Sequence, residues 1–423
     1  RRRLGRSERL EVRVLSVPDA RSVRDTAVSA CRSVRVPSIM SPAAPRGLRP
    51  VRSRLTPSVV INVSFLIPTL DRSGAEKQLV LLARGLPRDE FAVEVIALDR
   101  GGPYGEALND AGVPVTVIGK RGRFDPGAWR RLKSHLRQRE PDILHTYLFA
   151  ANAYGRMAVD HARTRVVISE RCVDSWKAGW QFAVDRMLAS RTDRLVANSQ
   201  SVAEFYKQRG VTAPIVVIPN GIEPPPEPAF TRQQLLTELR LPDDALLVCF
   251  VGRLAQQKRV DDLLWAAQIL RQAEPRAYFL VVGDGPERTR LQQRARDVEV
   301  SEHVRWLGHR EDAAAVLARC DVFWLGSSFE GMSNSLLEAM ACGRPVVVTD
   351  IPPNRELVRH GEDGYLVNIG DGAAFAQYTV KLFNDPDAAR RLGEAAHAKV
   401  RRDFSVETMI ERHVELYREL AAE

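Results

Sequence analysis

From Val59 onward, short apolar runs alternate with amphipathic stretches. The first set of runs is VVINVSFLI, FAVEVIAL, VPVTVIG, DILHT, RVVIS, RLVA and IVVIP, ending at Pro219. Most are rich in Val and Ile, as expected of strands buried on both faces of a parallel sheet. Stretches such as Ala75 to Leu86 and Pro126 to Arg139 lie between them and carry the helical period. Then comes PNGIEPPPEPAF, Pro219 to Phe230, whose proline density no helix or central strand tolerates. Beyond this linker the pattern resumes with ALLVCFV, AYFLVVG, HVRWLG, DVFWL, RPVVV and GYLV. The alternation predicts an α/β protein of two doubly wound, Rossmann-like domains whose strand C-terminal edges face across a cleft. The expected domains are residues 58–222 and 223–404, with a helix over 405–423 crossing back to the first.

Composition adds two constraints. With 44% hydrophobic and 27% charged residues the chain has an ordinary globular balance. Its longest nearly unbroken apolar stretch, Val59 to Pro68, is far short of the ~18 residues that span a bilayer. No secretory signal is expected at its start. The five cysteines are scattered without metal-ligand spacing and read as free thiols, which points to a reducing, cytoplasmic setting. The net charge of +9 is unevenly placed. Residues 1–57 hold 14 Arg, no Lys and four acids, a net of +10, so the other 366 residues carry −1. This Arg-, Ser-, Val- and Pro-rich tail lacks any sustained period and is expected to be disordered. A foreign upstream extension, a transit segment, a nucleic-acid arm and a membrane tether all fit its composition. The neutral body argues against nucleic acid as the partner of the whole.

The chemistry is expected at the turns that follow strands. Asp71-Arg72-Ser73-Gly74-Ala75-Glu76 leaves the first run and opens a helix, where backbone N–H groups suit an anion, although a plain helix start reads the same way. VGRLAQQK sets Arg253 and Lys258 beside a helix mouth, a place for a diphosphate. Asn220-Gly221-Ile222 and Gly283-Asp284-Gly285 add tight turns on the same edge. Other chemistries fit poorly. Arg288 stands where a dinucleotide fingerprint needs a third small residue, and no phosphate-binding Gly-x-x-x-x-Gly-Lys run exists. Asp385-Pro386-Asp387 reads as a helix start capped by Asp387 rather than a metal pair. The eight His residues show no zinc spacing. The most informative run is SSFEGMSNSLLEAMACG, Ser327 to Gly343. Glu330 falls in a loop and Glu338 about one turn inside the helix that follows. Between them are N–H groups that can hold phosphate, with carboxylates for hydroxyls on either side, a layout for a nucleotide sugar. An acidic helix start with exposed Glu residues would give the same letters.

SFEGMSNSLLEAMACGRPVV, taken with VGRLAQQK, VIPNGIE, GDGPE and SGAEKQL in this order, resembles family 4 retaining glycosyltransferases of the GT-B fold over roughly residues 60–420. The resemblance implies that Glu330 contacts donor-sugar hydroxyls and Glu338 the ribose, that Arg253 and Lys258 hold the leaving diphosphate, and that Ser73 and Gly74 close over it. It implies that N–H groups of Gly331, Met332 and Ser333 face the sugar and those of Ser335 and Leu336 the phosphate, with Asn220 near the donor. His145, in DILHTYLFAAN, would lie against the donor sugar, although a strand-end His satisfied by its neighbours reads equally well. Many relatives have a second His where this chain has Tyr147. Asn152 and Arg156 are expected nearer the acceptor.

The implied reaction moves a sugar from a nucleoside diphosphate to a hydroxyl acceptor with retention, by same-face attack. No metal or other cofactor is implied. An epimerase or phosphorylase of the same fold, an inactive sugar-binding module, or a nucleic-acid-binding protein led by the tail are the competing readings. The basic helix AWRRLKSHLRQR, with Ala128, Trp129, Leu132 and Leu136 along one side, suits either an anionic lipid surface or ordinary packing on the sheet. On the first reading the enzyme sits peripherally at the inner membrane face and the acceptor is a lipid-linked glycan.

Overall fold

The computed structural model describes residues 60–173, 177–227 and 229–423. The expected disordered tail, 1–57, lies outside the described residues. Every apolar run named above forms a strand. The first sheet contains β1 (Ile61–Thr69), β2 (Phe91–Arg100), β3 (Val115–Val117), β4 (Ile143–Tyr147), β5 (Arg165–Glu170), β6 (Arg194–Ala197) and β7 (Ile215–Val217). The second contains β8 (Leu246–Val251), β9 (Ala277–Val282), β10 (Val304–Gly308), β11 (Val322–Leu325), β12 (Val346–Thr349) and β13 (Tyr365–Val367). The strand orders are β3-β2-β1-β4-β5-β6-β7 and β10-β9-β8-β11-β12-β13, and all pairings are parallel. Both sheets therefore reverse direction at one point, between β1 and β4 and between β8 and β11. A doubly wound sheet opens its ligand crevice at that point, beyond the strand C-termini.

The chain crosses back after the second sheet. Ile222 donates its N–H to Phe404 O at 2.8 Å and pairs with Ser405. The last helix, Val406–Ala422, then places Met409, Val414, Leu416, Tyr417 and Leu420 in one apolar cluster with Phe65, Val95 and Leu79 of the first domain.

Two expectations change. Asp385, not Asp387, caps the helix Pro386–Asp403, accepting from Ala388 N at 2.9 Å. Proline has no N–H to lose and takes the first helical position, which leaves the cap to the residue before it. The same rule puts Asp125 before Pro126, where it accepts from Ala128 N at 2.9 Å. On that helix, Pro126–Arg139, Ala128, Leu132 and Leu136 are buried against Leu66, Ile96 and Leu144. The apolar stripe is spent on the sheet, so it is not free for a lipid surface. Among the described residues no helix is long and apolar enough to cross a membrane.

Candidate active site

The second sheet supplies a tight cluster at its reversal. β11 ends at Leu325 and its loop carries Glu330, which is buried yet fully partnered. Lys258 Nζ donates to Glu330 Oε1 at 2.5 Å and Ser327 Oγ to the same oxygen at 2.6 Å. Gln257 Nε2 donates to Phe329 O at 2.7 Å and reaches Glu330 Oε2 at 3.4 Å. Lys258 gets there because β8 is followed by a single turn, Gln256–Lys258, at the neighbouring position of the sheet. Two stretches of sequence about seventy residues apart thus build one charge pair. Arg253, between β8 and that turn, is exposed, and its guanidinium has no partner among the described residues.

The helix Asn334–Ala341 begins directly behind this loop. Ser333 caps it, its Oγ accepting from Leu336 N at 3.4 Å and lying 3.2 Å from Ser335 Oγ. Glu338, one turn in, receives Lys77 Nζ at 2.6 Å from the helix Gly74–Gly85 of the first domain. Burial alone would lower the Lys77 pKa, but the Glu338 carboxylate outweighs it and holds the ammonium above its ordinary value. Lys77 was not singled out from the sequence. The available signal was a cation in the first turn of a helix, where the dipole disfavours it unless an anion waits opposite.

Further contacts across the cleft centre on Asn334, likewise missed. Its Oδ1 accepts from Asn220 Nδ2 at 2.6 Å and its Nδ2 donates to Gly74 O at 3.3 Å. Gln78 reaches the same Oδ1 at 3.4 Å and holds Gly221 through both backbone groups. Gly74 thus sits at the domain contact, whereas Ser73 Oγ donates to Glu76 of its own helix start. Asn220 also holds Met332, donating to its carbonyl at 3.2 Å.

Gly331 pairs with Cys172 in an antiparallel bridge, and Val173 N donates to Glu330 O at 3.2 Å. A Cβ on Gly331 would lie 2.0 Å from Arg171 O, so only glycine lets the loop approach the other domain this closely. On the outer edge Glu356 accepts from Gln200 N and Ser201 N, both at 2.8 Å, capping a first-domain helix from the second domain. These residues hold the cleft closed.

The first domain corrects two assignments. His145 has 0% exposure, with Nδ1 2.6 Å from Tyr417 Oη and Nε2 2.8 Å from Ser169 Oγ. Burial, then the nearby His413 and Arg171, keep its pKa well below the ordinary value, so the ring is neutral. With both nitrogens occupied by protein it does not lie against a donor sugar. Tyr147, also buried, stacks on it at 4.7 Å. Asn152 and Arg156 are buried too. Asn152 donates to Glu170 Oε1 at 3.1 Å and Arg156 pairs with Asp185 at 2.6 Å, so neither faces an acceptor.

Comparison with known proteins agrees with this architecture. The family model for glycosyltransferase family 4 matches residues 72–224, and that for glycosyl transferases group 1 matches residues 231–399. The chain is 30% identical over 326 residues to the lipopolysaccharide core biosynthesis glycosyltransferase LpsE of Rhizobium meliloti, covering 73% of this chain and 92% of that one. It is 26% identical over 377 residues to the UDP-Gal:alpha-D-GlcNAc-diphosphoundecaprenol alpha-1,3-galactosyltransferase of Escherichia coli, covering 83% and 95%. Among solved structures it resembles Anabaena Alr3699/HepE in complex with UDP-glucose, with a TM-score of 0.76, 24% identity, and coverage of 85% of this chain and 100% of that one.

Proposed function

This chain belongs to glycosyltransferase family 4, and from that premise we propose that it transfers a sugar, with retention, from a nucleoside-diphosphate sugar to a hydroxyl of a glycan acceptor. The observation that carries the reading is the pair of cross-braced ion pairs, Lys258–Glu330 and Lys77–Glu338, at either end of one capped helix N-terminus. A cation, a run of N–H groups and two carboxylates in that order suit a sugar, a diphosphate and a ribose in turn. Donor binding exchanges Lys258 from Glu330 to phosphate and frees that carboxylate for sugar hydroxyls. Arg253 completes the phosphate grip. As the glycosyl bond breaks, a donor phosphate oxygen takes the acceptor proton on the same face. Fixed cations and N–H dipoles then stabilise the departing diphosphate, each such donor being worth ~3 kcal/mol in the transition state. Lys258 and Arg253 fill the electrostatic role of a metal, so the reading is metal-independent.

Donors of the uridine class are the first to test, because the Escherichia coli relative is named for UDP-Gal and the Anabaena structure contains UDP-glucose. The acceptor reading, a lipid-linked envelope glycan met from the cytoplasmic side, draws on relatives named for lipopolysaccharide core and diphosphoundecaprenol substrates. Peripheral membrane contact would rest on the basic surface around Arg121, Arg123 and Arg130, where Phe124 is 75% exposed.

The test is release of nucleoside diphosphate by the purified protein from uridine, guanosine and adenosine diphosphate sugars. It is run with and without a lipid-diphosphate-linked sugar, with and without chelator, and with the anomeric configuration of the product read by NMR. Acceptor-dependent release with retention and no chelator effect is expected. Inversion, or release that needs no acceptor and yields an epimerised sugar, would refute the reading.

A further inference from the structure

Four cations stand along the closed cleft, and their partners differ. Lys258 and Lys77 are bonded to Glu330 and Glu338, and Arg253 is exposed just after β8. The fourth is Arg171, immediately after β5 on the wall of the first domain. Its guanidinium donates to Asn220 Oδ1 at 2.7 Å and lies 5.7 Å from the centre of the Tyr147 ring. Among the described residues it forms no ion pair. Two fully buried cations of the same domain do, Arg156 with Asp185 and Lys177 with Glu170. Burial works against the Arg171 charge and only the Tyr147 side chain opposes that effect, yet a guanidinium stays protonated. Arg171 is half-buried, and a cation partly withdrawn from water without a counter-charge gains from an anion that completes it.

Its backbone is fixed by the same elements that fix the donor loop. Arg171 O accepts from Asn198 Nδ2 at 3.1 Å and lies where a Cβ of Gly331 would be. The guanidinium is held by Asn220, which also bonds Met332 O and Asn334. Arg171 therefore sits within a residue or two of the loop assigned to the donor sugar, on the opposite wall from Arg253 and Lys258. The planar fork still has donors beyond the one given to Asn220, enough for a second oxygen acceptor.

We propose that Arg171 anchors an anion subsite of the phosphate class in the first-domain wall of the cleft, occupied by a phosphate of the acceptor. The assignment to the acceptor rests on the glycosyl-transfer reading, since Arg253 and Lys258 already account for the donor diphosphate. The donor is the other source of the same chemistry, and the test separates the two.

The experiment titrates inorganic phosphate into the full chain, alone and saturated with UDP, beside Arg171→Gln, with UDP affinity measured in parallel by calorimetry. The expected result is one phosphate site on the UDP-bound wild type, weakened at least tenfold in Arg171→Gln, with UDP affinity changed less than twofold. A tenfold loss of UDP affinity in the variant, with phosphate competing against UDP, keeps the subsite and moves it to the donor. Phosphate binding that depends on Arg171 in a protein that binds no nucleoside diphosphate keeps the subsite and defeats the donor reading. Phosphate and UDP affinities that are both indifferent to Arg171, or no phosphate site on the wild type, overturn the proposal. Should Arg171→Gln not fold, labelling of wild-type Arg171 by phenylglyoxal, followed by mass spectrometry, decides: phosphate slows it at least fivefold if the subsite exists and leaves it unchanged if not.

Discussion

The two sheets share a strand order around their reversal points but manage charge in opposite ways. At the second, Lys258 and Glu330 keep 15% and 8% of their side-chain surface, and on the proposed reading a bound donor takes the place of each partner. In the first domain, at the end of β5 and one strand away from the reversal, Arg156, Asp185, Lys177 and Glu170 belong to a buried network of charges with 1–5% exposure, to which Asn152 and Tyr206 also bond. Tyr206 Oη accepts from Lys177 Nζ at 2.7 Å and donates to Glu170 Oε2 at 2.8 Å. Lys–Glu pairs near strand C-termini are thus, on the proposed reading, exchangeable in one half and a structural bolt in the other. Partner access, rather than residue identity, separates the two.

Removing a member of the bolt is the harshest way to break this comparison. Lys177→Met removes the cation that Glu170 and Asp185 share in a dry interior, and loss of one partner of a buried pair costs about 3–5 kcal/mol. Urea denaturation should show a loss of that size, while the fraction still folded at low temperature keeps its turnover. Full stability with abolished turnover would mean the network is part of the chemistry.

Acid should separate the halves next. His413 is buried beside His145 and Tyr417, donates from Nδ1 to Met409 O at 2.8 Å, and has its pKa pushed down to about 4, chiefly by burial. The folded value lies below the unfolded one, so the contribution is complete above about pH 6.5 and is lost as pH falls towards 4. That loss amounts to about 3 kcal/mol for this group, with His145 acting in the same direction. His413→Leu should flatten the acid limb of stability between those pH values relative to the wild type. Parallel limbs in the two proteins would place the acid sensitivity elsewhere.

On the exchangeable side, Lys258→Ala should lower turnover about a hundredfold with a smaller effect on donor affinity, because charge on the diphosphate grows as the bond breaks. Arg253→Lys should fall between this variant and the wild type, keeping the charge but losing the fork. Steady-state kinetics with saturating donor make the comparison. Near-normal turnover of Lys258→Ala would remove the lysine from the mechanism.

The sequence was most legible where structure is local. Most strands are buried runs rich in Val, Ile and Leu, with β3, β7 and β10 at the sheet edges less buried, and the Glu330 loop with its helix lies within Ser327–Gly343, so fold and loop could be read without knowing any distant contact. The direction of His145 could not be read. A strand buried on both faces carries no alternation to say which side a residue takes, and here the side chain points to Ser169 and the C-terminal helix. Lys77 and Glu338 lie 261 positions apart, and Arg171 meets Gly331 only because two sheets close on each other. Such pairings leave no spacing signal. Asp387 is a different failure, a local rule misapplied by ignoring what Pro386 requires.

The smallest effect sharpens the boundary between the two halves, because Glu338 belongs to both. Its Oε1 accepts from Lys77 of the first domain, while its assigned role is to hold a ribose. If it only braces the cleft, Lys77→Met and Glu338→Gln should weaken nucleoside diphosphate binding alike, and the double variant should be no worse than either. If it also holds the ribose, Glu338→Gln should cost about tenfold in affinity, since a hydrogen bond to a charged group is worth about 1.5–3 kcal/mol, while Lys77→Met costs less. Calorimetry with UDP on the four members of the cycle distinguishes the cases. A 2′-deoxy nucleotide adds the finer control. It should bind the wild type more weakly than UDP and bind Glu338→Gln almost as well as UDP does, because the variant has already lost the hydroxyl's partner. Equal discrimination against the deoxy nucleotide in both proteins would assign the ribose to another side chain and leave Glu338 a brace alone.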